Sequence, residues 1–420
     1  MKLVRFNIQG FKNIADIGVD SLSDINVFFG LNDVGKSNIF EALCLWQRFL
    51  AVSASPRSAQ PVDKFMRDFG AYLFSLDGTA ELSVEVGLVI DSSELPRDRL
   101  ERRIADVVGA RMKYLGRGTV QLTSQVKIEL QGDRVSTSSV AWWEDGSEVG
   151  LHPKDLAAIV PSIHVIAAER RFQAEARNRE ALTGEIHHGN LKKALFYAYL
   201  SADLQQKKRF AAIKSVLAEP PFLLGELDVA LDQATDQIDI GFIRPQGRLP
   251  LDNLGSGARQ LLLVLGQVFL NDFPIVALEE PKMNLSPQWQ QDLMIALRLL
   301  MRDPAIGLKQ IFISTHSPYF EFSENFYDVT LDESGHTQVK RTTSQDWSAH
   351  FAVAPLGPET GARVNSLNQV QLYDRLIADL DLRRGDMVVF VRNEAGHWEL
   401  RRAEEIAREL QPLVANNGAS

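Results

Sequence analysis

The sequence lacks most of the features that would place it outside the ordinary class of globular proteins. Its 420 residues contain one cysteine, Cys44, which excludes an internal disulfide, and its eight histidines follow no zinc-ligand spacing. The most apolar run, residues 261–270, is interrupted by Gln267 and is far shorter than the roughly 18 residues that span a bilayer. The N-terminal segment has no hydrophobic export signal. We therefore expect a cytoplasmic protein with no membrane partner.

The composition also excludes collagen-like and disordered chains. Hydrophobic residues make up 45% and charged residues 24%, and sustained heptads of a long coiled-coil arm are absent. The length predicts roughly two to three domains. The formal net charge of -9 disfavours nucleic-acid binding over the whole surface and leaves only a local basic groove for that purpose.

Hydrophobic patterns predict the order of the elements. Residues 1–29 read as strands that end in a buried run, INVFF, and a helix follows from about residue 36. Residues 53–63 read as a connection rich in helix breakers, and alternating segments between 79 and 144 predict an antiparallel lobe with one helical stretch.

The second half of the sequence predicts helices followed by a parallel sheet. Three helical stretches are expected at 190–204, 209–219 and 224–234, and a strand pair at 237–251. An apolar helix, a strand ending in two acids, an amphipathic helix and a strand ending in Thr-His-Ser follow. This alternation favours an α/β fold whose strands end at one ligand-binding edge. Beyond residue 320 we expect strands around FYDVTLD and DMVVFVRN and a final charged helix.

Residues 30–37 fit the phosphate-loop pattern G-x-x-x-x-G-K-[ST]. Gly30 and Gly35 let the backbone curl so that its N–H groups face phosphates, Lys36 reaches the β and γ oxygens, and Ser37 binds Mg²⁺. The alternative is a glycine turn that caps a core helix. An apolar strand before the pattern and a helix after it favour the phosphate loop, and they predict ATP and Mg²⁺ as cofactors.

Two strand ends supply candidate catalytic groups. Glu279 and Glu280 are adjacent on one strand and point to opposite faces, so we assign Glu279 to Mg²⁺ and Glu280 to the base that activates water. His316 is expected to touch the γ-phosphate or orient water if its strand neighbours that of Glu280. The alternatives are a solvated acid pair and a histidine with an ordinary structural role.

A third segment, Gly255-Ser256-Gly257, precedes the apolar helix and is called the signature turn below. Its free N–H groups and its hydroxyl suit an anion, although the same pattern is a common helix cap.

The order of these motifs resembles ABC-type P-loop ATPases of the RecF and SMC branch. The segments FKNI, GLNDVGKSN, LGSGARQ, VALEEPKMNLSPQWQ and FISTHSP look closest to OLD-family (AAA-labelled) ATPases. The resemblance implies an ATPase head divided as residues 1–174 (N-terminal half with the antiparallel lobe), 175–237 (helical insert), 238–320 (C-terminal half) and 321–420 (an α/β extension).

The resemblance also implies a nucleotide sandwiched between two subunits that pack head to tail. Lys36 of one subunit and Ser256 of the other would hold the same ATP, and the turn at 284–287 would cross the interface. Residues implied at the nucleotide also include Asn32 and Asn38 of the loop and helix start, and either Lys12 or Asn13. A homodimer, or a larger assembly built from it, is therefore expected.

Several positions depart from the resembled families. Lys282 stands where OLD-type ATPases often have a third acid, and the loop that carries a glutamine in cassette ATPases offers Glu169 or Gln173. The TOPRIM nuclease of full OLD proteins needs a metal-binding Asp-x-Asp pair on a late strand. Asp379 and Asp381 lie on an expected helix, so we predict no TOPRIM nuclease domain.

Basic clusters make DNA a weaker candidate partner. Most such clusters are solvated helix faces, and Trp142-Trp143 fits a hairpin packed on the core better than a base-stacking platform. The clusters are Arg97/Arg99/Arg102/Arg103, Arg170/Arg171 and Lys207/Lys208/Arg209.

Two function classes compete. The first is an ATPase whose nucleotide-dependent dimerisation regulates or scaffolds a separately encoded effector protein, as in bacterial anti-phage defence. The second is a RecF-like DNA-repair clamp, and a transporter motor ranks third.

Overall fold

The computed structural model divides the chain into two compact units, Met1–Thr343 and Ser344–Ser420. It describes residues 1–52, 57–61, 81–92, 102–131, 134–151, 155–157, 160–168, 186–232, 237–303, 306–317, 320, 325–342, 362–364, 370–372, 388–392 and 398–402.

The first unit contains both strands and helices, and most helices are separated by runs of two or three strands. Its strands are β1 (Lys2–Phe11), β2 (Ile14–Val19), β3 (Ile25–Phe29), β4 (Arg57–Pro61), β5 (Glu81–Asp91), β6 (Thr119–Gln131), β7 (Arg134–Trp143), β8 (Ile163–Ile166), β9 (Glu226–Asp232), β10 (Gln237–Arg244), β11 (Gly247–Pro250), β12 (Ile275–Glu279), β13 (Gln310–Thr315), β14 (Phe326–Leu331) and β15 (Thr337–Thr342). Its helices are α1 (Lys36–Val52), α2 (Arg102–Leu115), α3 (Leu191–Leu200), α4 (Leu204–Ala218), α5 (Ser256–Leu270) and α6 (Pro287–Arg302).

The central sheet has the order β15-β14-β3-β13-β12-β8. Its strands run parallel except β15, which pairs antiparallel with β14 at the edge. The register sets Glu279 beside Ser314 and Thr315 beside Phe29, so β3, β12 and β13 end at the same edge. The expectation that the strand of His316 neighbours that of Glu280 is confirmed.

The two faces of this sheet are covered by different layers, which explains its continuous apolar strands. On one face α1 lies between the central sheet and an antiparallel sheet, and Phe28 meets Phe40 of α1 edge to face with ring centroids 5.8 Å apart. On the other face α3 to α6 pack with the small sheet β11-β10-β9. Helix α5 is buried along almost its whole length, which accounts for its apolar sequence.

The antiparallel sheet has the order β2-β1-β5-β6-β7-β4 and confirms the lobe expected between 79 and 144. Trp143 of β7 is buried, in agreement with the core interpretation of the tryptophan pair. One expectation is wrong here: residues 57–61, predicted as part of a connection, form the edge strand β4. Its pairing with β7 outweighs the weak strand propensity of its sequence.

A second expectation is wrong at residues 224–234, which were predicted as helix. Residues 226–232 form β9, which pairs antiparallel with β10 along its full length. Leu227 and Val229 are buried while Glu226 and Asp232 are exposed, which is the two-residue period of a strand. The expected helices before it are confirmed as α3 and α4, and the expected strand pair after it as β10 and β11.

The second unit is described through two antiparallel strand pairs. These are β16 (Ala362–Val364) with β17 (Val370–Leu372), and β18 (Val388–Arg392) with β19 (Trp398–Arg402). The strands expected around FYDVTLD and DMVVFVRN are confirmed as β14 and β18. The predicted final helix begins within β19 and otherwise lies outside the described residues, as do Asp379 and Asp381.

Within the described part of the chain, no helix is both long and apolar enough to cross a membrane.

Candidate functional site

The phosphate loop connects the end of β3 to the start of α1. The N–H of Gly30 donates to the carbonyl of Thr315 at 3.1 Å, so the loop begins against β13, and Lys36 is the first residue of α1. Residues 31–33 are exposed, whereas Lys36 is buried. Its ammonium donates to the carbonyls of Gly30 at 2.8 Å and Leu31 at 2.6 Å. The loop therefore closes around this cation.

The electrostatics of Lys36 favour an anionic ligand. Burial lowers its pKa, and the carboxylate of Glu280 opposes that effect from 3.8 Å, measured between Nζ and Oε1. Lys282 lowers the pKa of Lys36 further, and burial lowers the pKa of Lys282 as well. Two partly desolvated ammonium groups around one carboxylate leave the site short of negative charge, which phosphate oxygens would supply.

Glu280 leaves the sheet in a conformation that is uncommon for a residue with a side chain. Its φ is 41°, in the left-handed region, and its N–H donates to the carbonyl of Ser314 at 2.8 Å. One carboxylate oxygen, Oε1, lies 3.0 Å from Nδ1 of His316. The other oxygen, Oε2, is buried and has no hydrogen-bond partner among the described residues. Such a buried acceptor fits a base that waits for a water molecule.

His316 follows β13 and is 38% exposed at its side chain. Its contact with Glu280 joins two strand ends, since the two residues lie on neighbouring strands of the central sheet. The structure thus brings Lys36, Glu280 and His316 together, as the parallel strand order implied.

The predicted magnesium ligands are Ser37 and Glu279. Ser37 is exposed in the first turn of α1, and Glu279 is the last residue of β12. The described residues include no group of three or more histidine, cysteine or acidic side chains that could hold a metal by themselves. One hydroxyl and one carboxylate fit Mg²⁺ because this ion usually takes few protein ligands and completes its shell with phosphate and water oxygens.

The signature turn lies at the start of α5. Gly255 caps the helix without a side-chain hydrogen bond, so it supplies no side-chain acceptor to the first N–H groups of α5. A Cβ on Gly257 would lie 2.8 Å from the carbonyl oxygen of Asn284 and 3.3 Å from the ring of Trp289. The signature turn and the turn at 284–287 therefore form one continuous surface, and Gly257 permits their close approach.

A pocket of about 540 Å³ opens beside the signature turn. It is lined by Phe222, Leu223, Leu224, Arg244, Leu249, Asn253, Leu254, Gly255, Gly257, Ala258, Asn284, Ser286 and Trp289. None of the phosphate-loop residues contributes to this lining. Within one chain, the pocket beside the signature turn is therefore formed without the phosphate loop.

Asn13 and Thr337 contact the phosphate loop from behind. Thr337 was missed by the sequence analysis, because it lies about 300 positions from the loop in an ordinary strand and carries no motif. Either Lys12 or Asn13 was expected at the nucleotide, which stays a prediction. Asn13 accepts a hydrogen bond from Nδ2 of Asn38 at 2.7 Å. Lys12 forms an ion pair with Glu41 of α1.

The basic clusters give little support for a nucleic-acid groove. Arg209 is buried and structural: it donates to the carbonyl of Asn271 at 2.9 Å and pairs with Asp272, so it corrects the expectation for that cluster. Lys207 and Lys208 are exposed. Several other predicted residues lie outside the described residues, namely Arg97, Arg99, Glu169, Arg170, Arg171 and Gln173.

Comparison with known proteins finds a family model that matches part of the chain. Residues 198–322 match the family described as "AAA domain, putative AbiEii toxin, Type IV TA system". The matched segment contains the signature turn, Glu280 and His316. Together with the phosphate loop and the parallel central sheet, this match agrees with an α/β P-loop fold of the ABC ATPase type, which confirms the expected fold class. The OLD-type part of the resemblance stays a prediction.

Sequence relatives match over limited segments. An uncharacterised protein of Methanocaldococcus jannaschii is 30% identical over 135 residues, which are 32% of this chain and 16% of that protein. The DNA replication and repair protein RecF of Lactobacillus delbrueckii subsp. bulgaricus is 37% identical over 93 residues, 21% and 23% of the two chains. RecF of Lactococcus lactis subsp. cremoris is 30% identical over 115 residues, 26% and 30%. The chain spans less than a third of each relative's length.

Solved structures with related folds include two SMC heads. The SMC head bound to the C-winged helix domain of ScpA has a TM-score of 0.49 at 13% identity and covers 83% of this chain and 100% of that one. The SMC head domain from Thermotoga maritima has a TM-score of 0.43 at 14% identity, with 81% and 99% covered.

The glycine that opens the phosphate loop provides a test of this geometry. A Cβ at Gly30 would overlap the backbone oxygen of Val329, which is held in β14. We expect Gly30→Ala to lower the free energy of unfolding by about 1–3 kcal/mol, the usual cost of overpacking. Gly255→Ala is the matched control, because nothing lies within 4 Å of its Cβ position. Urea unfolding of both variants measures the difference, and equal stability would contradict the close approach.

Proposed function

We propose that this chain is the nucleotide-binding head of an ATPase that converts ATP and water to ADP and phosphate. The observation that carries the proposal is the cluster of Lys36, Glu280 and His316 at the edge of the sheet where the phosphate loop ends. A cation for phosphate oxygens and a buried carboxylate for water are the two groups that this reaction requires. The family match at 198–322 and the RecF relatives support the same reaction class.

The residues divide the work as follows. The phosphate oxygens take over the hydrogen bonds that Lys36 now makes to Gly30 and Leu31, and the ammonium stabilises the charge that develops on the transferred phosphoryl group. Oε2 of Glu280 accepts a proton from the attacking water. His316 orients that carboxylate through Oε1 and senses the γ-phosphate. Ser37 and Glu279 would hold Mg²⁺, which neutralises phosphate charge when bound.

The proposal includes a head-to-tail homodimer in which the signature turn of one subunit completes the site of the other. Support comes from the pocket beside the signature turn, whose lining includes no phosphate-loop residue. It also comes from the first N–H groups of α5, which receive no side-chain acceptor from Gly255.

For the biological role, we propose that ATP-dependent dimerisation regulates or scaffolds a separately encoded effector protein. The description of the matched family as a toxin of a toxin–antitoxin system favours this class, and anti-phage defence is one setting for it. The second candidate is a RecF-like DNA clamp, which is favoured by the identity with two RecF proteins.

The two candidates differ in what stimulates ATP turnover. A RecF-like clamp should hydrolyse ATP several-fold faster with gapped duplex DNA, with an effect that weakens as salt rises. The effector-regulating ATPase should be unaffected by DNA and should co-purify with a protein encoded by a neighbouring gene. ATP turnover with and without DNA, at two salt concentrations, separates them.

Glu280→Gln tests the proposed base. The amide keeps the shape of the side chain but cannot accept the proton, so we expect turnover to fall by about 100-fold or more while ATP still binds. The variant should accumulate as an ATP-bound dimer, which light scattering detects. Asp292→Asn on α6 is the control for a carboxylate-to-amide change elsewhere. Normal turnover in Glu280→Gln would mean that the base lies at another residue.

Mixing two inactive variants tests the shared site. Lys36→Ala removes the phosphate contact, and Ser256→Glu places a negative charge where the partner's phosphate would lie. In a head-to-tail mixed dimer both lesions fall in one site and the other site is intact. An equal mixture should therefore recover roughly a quarter of wild-type turnover, given random pairing. A mixture as inactive as its components would show that the sites are not shared in this way.

A further inference from the structure

The hairpin of β14 and β15 runs directly behind the phosphate loop. Thr337, the first residue of β15, is fully buried and makes two hydrogen bonds there. Its hydroxyl donates to the carbonyl of Val34, within the loop, at 2.8 Å. Its N–H donates to the carbonyl of Asn13, in the turn between β1 and β2, at 2.8 Å. Thr337 thus connects the phosphate loop to the turn between β1 and β2, and both lie about 300 positions before it in the sequence.

Asn13 completes the connection on the other side. Its side-chain oxygen accepts from Asn38, one turn into the helix that the loop starts. Val34, Thr337, Asn13 and Asn38 therefore form a ring of contacts that joins the loop, the hairpin, the β1–β2 turn and α1.

The two glycines of the loop are pressed against the same hairpin. A Cβ at Gly30 would overlap the backbone oxygen of Val329 in β14, and one at Gly35 would overlap the hydroxyl of Thr337. Gly35 also has a φ of 100°, which residues with side chains rarely adopt. The glycine spacing of the motif is thus needed for contact with the hairpin as well as for curling around phosphate.

The hydrogen bond to Val34 fixes the direction of a phosphate-binding donor. In a trans peptide the C=O and the following N–H point in opposite directions. Because the carbonyl of Val34 points back to Thr337, the N–H of Gly35 points away from the hairpin. If this peptide rotated, a carbonyl oxygen would replace the N–H there and would repel a phosphate group.

The turn of the hairpin keeps Thr337 in place. The carboxylate of Asp332 accepts from the N–H groups of Ser334 and His336, both at 2.9 Å, and from the side chain of Gln338 at 3.2 Å. Residues on both sides of Thr337 are therefore anchored to one carboxylate.

We propose that Thr337 is a positioning residue that holds the peptide between Val34 and Gly35 in its anion-binding orientation before nucleotide arrives. The inference rests on the proposed function only for the identity of the ligand, a nucleoside triphosphate. The hairpin preorganises the loop, so the free energy of ordering this peptide is not taken from nucleotide binding.

The test compares Thr337→Val with Thr337→Ser. Valine keeps the shape of the side chain but has no hydroxyl, so the carbonyl of Val34 loses its donor, whereas serine retains it. We expect ATP to bind about tenfold more weakly to Thr337→Val and near normally to Thr337→Ser. Thr330→Val is the matched control, because Thr330 lies on the same hairpin and is exposed.

Kinetics separate positioning from a general loss of structure. Once phosphate occupies the loop, its own hydrogen bonds hold the peptide, so KM for ATP should rise in Thr337→Val while kcat stays near the wild-type value. A fall in kcat with unchanged KM would overturn the proposal, and so would equal weakening by valine and serine. Thr337→Ala offers a second variant without the hydroxyl if valine is not accommodated.

Hydrogen exchange measures the same effect without nucleotide. In the ATP-free protein, amide exchange around residues 34–36 should be faster in Thr337→Val than in Thr337→Ser, with β12 and β13 unchanged. This result would support the positioning role even if wild-type protein failed to bind ATP, which would instead refute the proposed function. Unchanged exchange in the loop would overturn the role of Thr337.

Discussion

The burial of one ammonium group is the constraint on which this structure depends. Lys36 lies inside the loop that it belongs to, where burial disfavours its charge and the carboxylate of Glu280 only partly compensates. A cation in this position is useful only if an anion arrives, and residues 31–33 of the same loop are exposed to solvent. Glu280, which faces Lys36, has a left-handed backbone conformation. Strained conformations of this kind persist where the surrounding packing enforces them, and they are common at functional sites.

The meeting of Lys36, Glu280 and His316 at one sheet edge could be anticipated from the sequence, and topology explains why. The phosphate loop is a contiguous motif that is recognisable within eight residues. The strands that lead to Glu280 and His316 are buried on both faces, so their continuous apolar runs predict them as strands. Parallel strands that neighbour each other in a sheet end at the same edge. Local sequence patterns could not predict the strand order. In the structure β13 lies between β3 and β12, and this order brings His316 to 3.0 Å from Glu280.

The errors share a physical cause, since each concerns a residue whose state is decided by a partner outside its own segment. Residues 226–232 have apolar positions that suit either a helix or a strand, and their pairing with β10 decides between them. Arg209 stands in a basic run, yet the carbonyl of Asn271 and the carboxylate of Asp272 draw it into the core. Thr337 has no unusual neighbours in sequence, and only the folded chain brings it to the loop.

The position of β15 in the sheet gives its first residue a wider significance. β15 pairs with β14 along its full length, and β14 pairs in parallel with β3, the strand that leads into the phosphate loop. The residue that holds Val34 therefore belongs to the same sheet as the strand that the loop continues, so a change that unpaired this edge of the sheet would also release the loop.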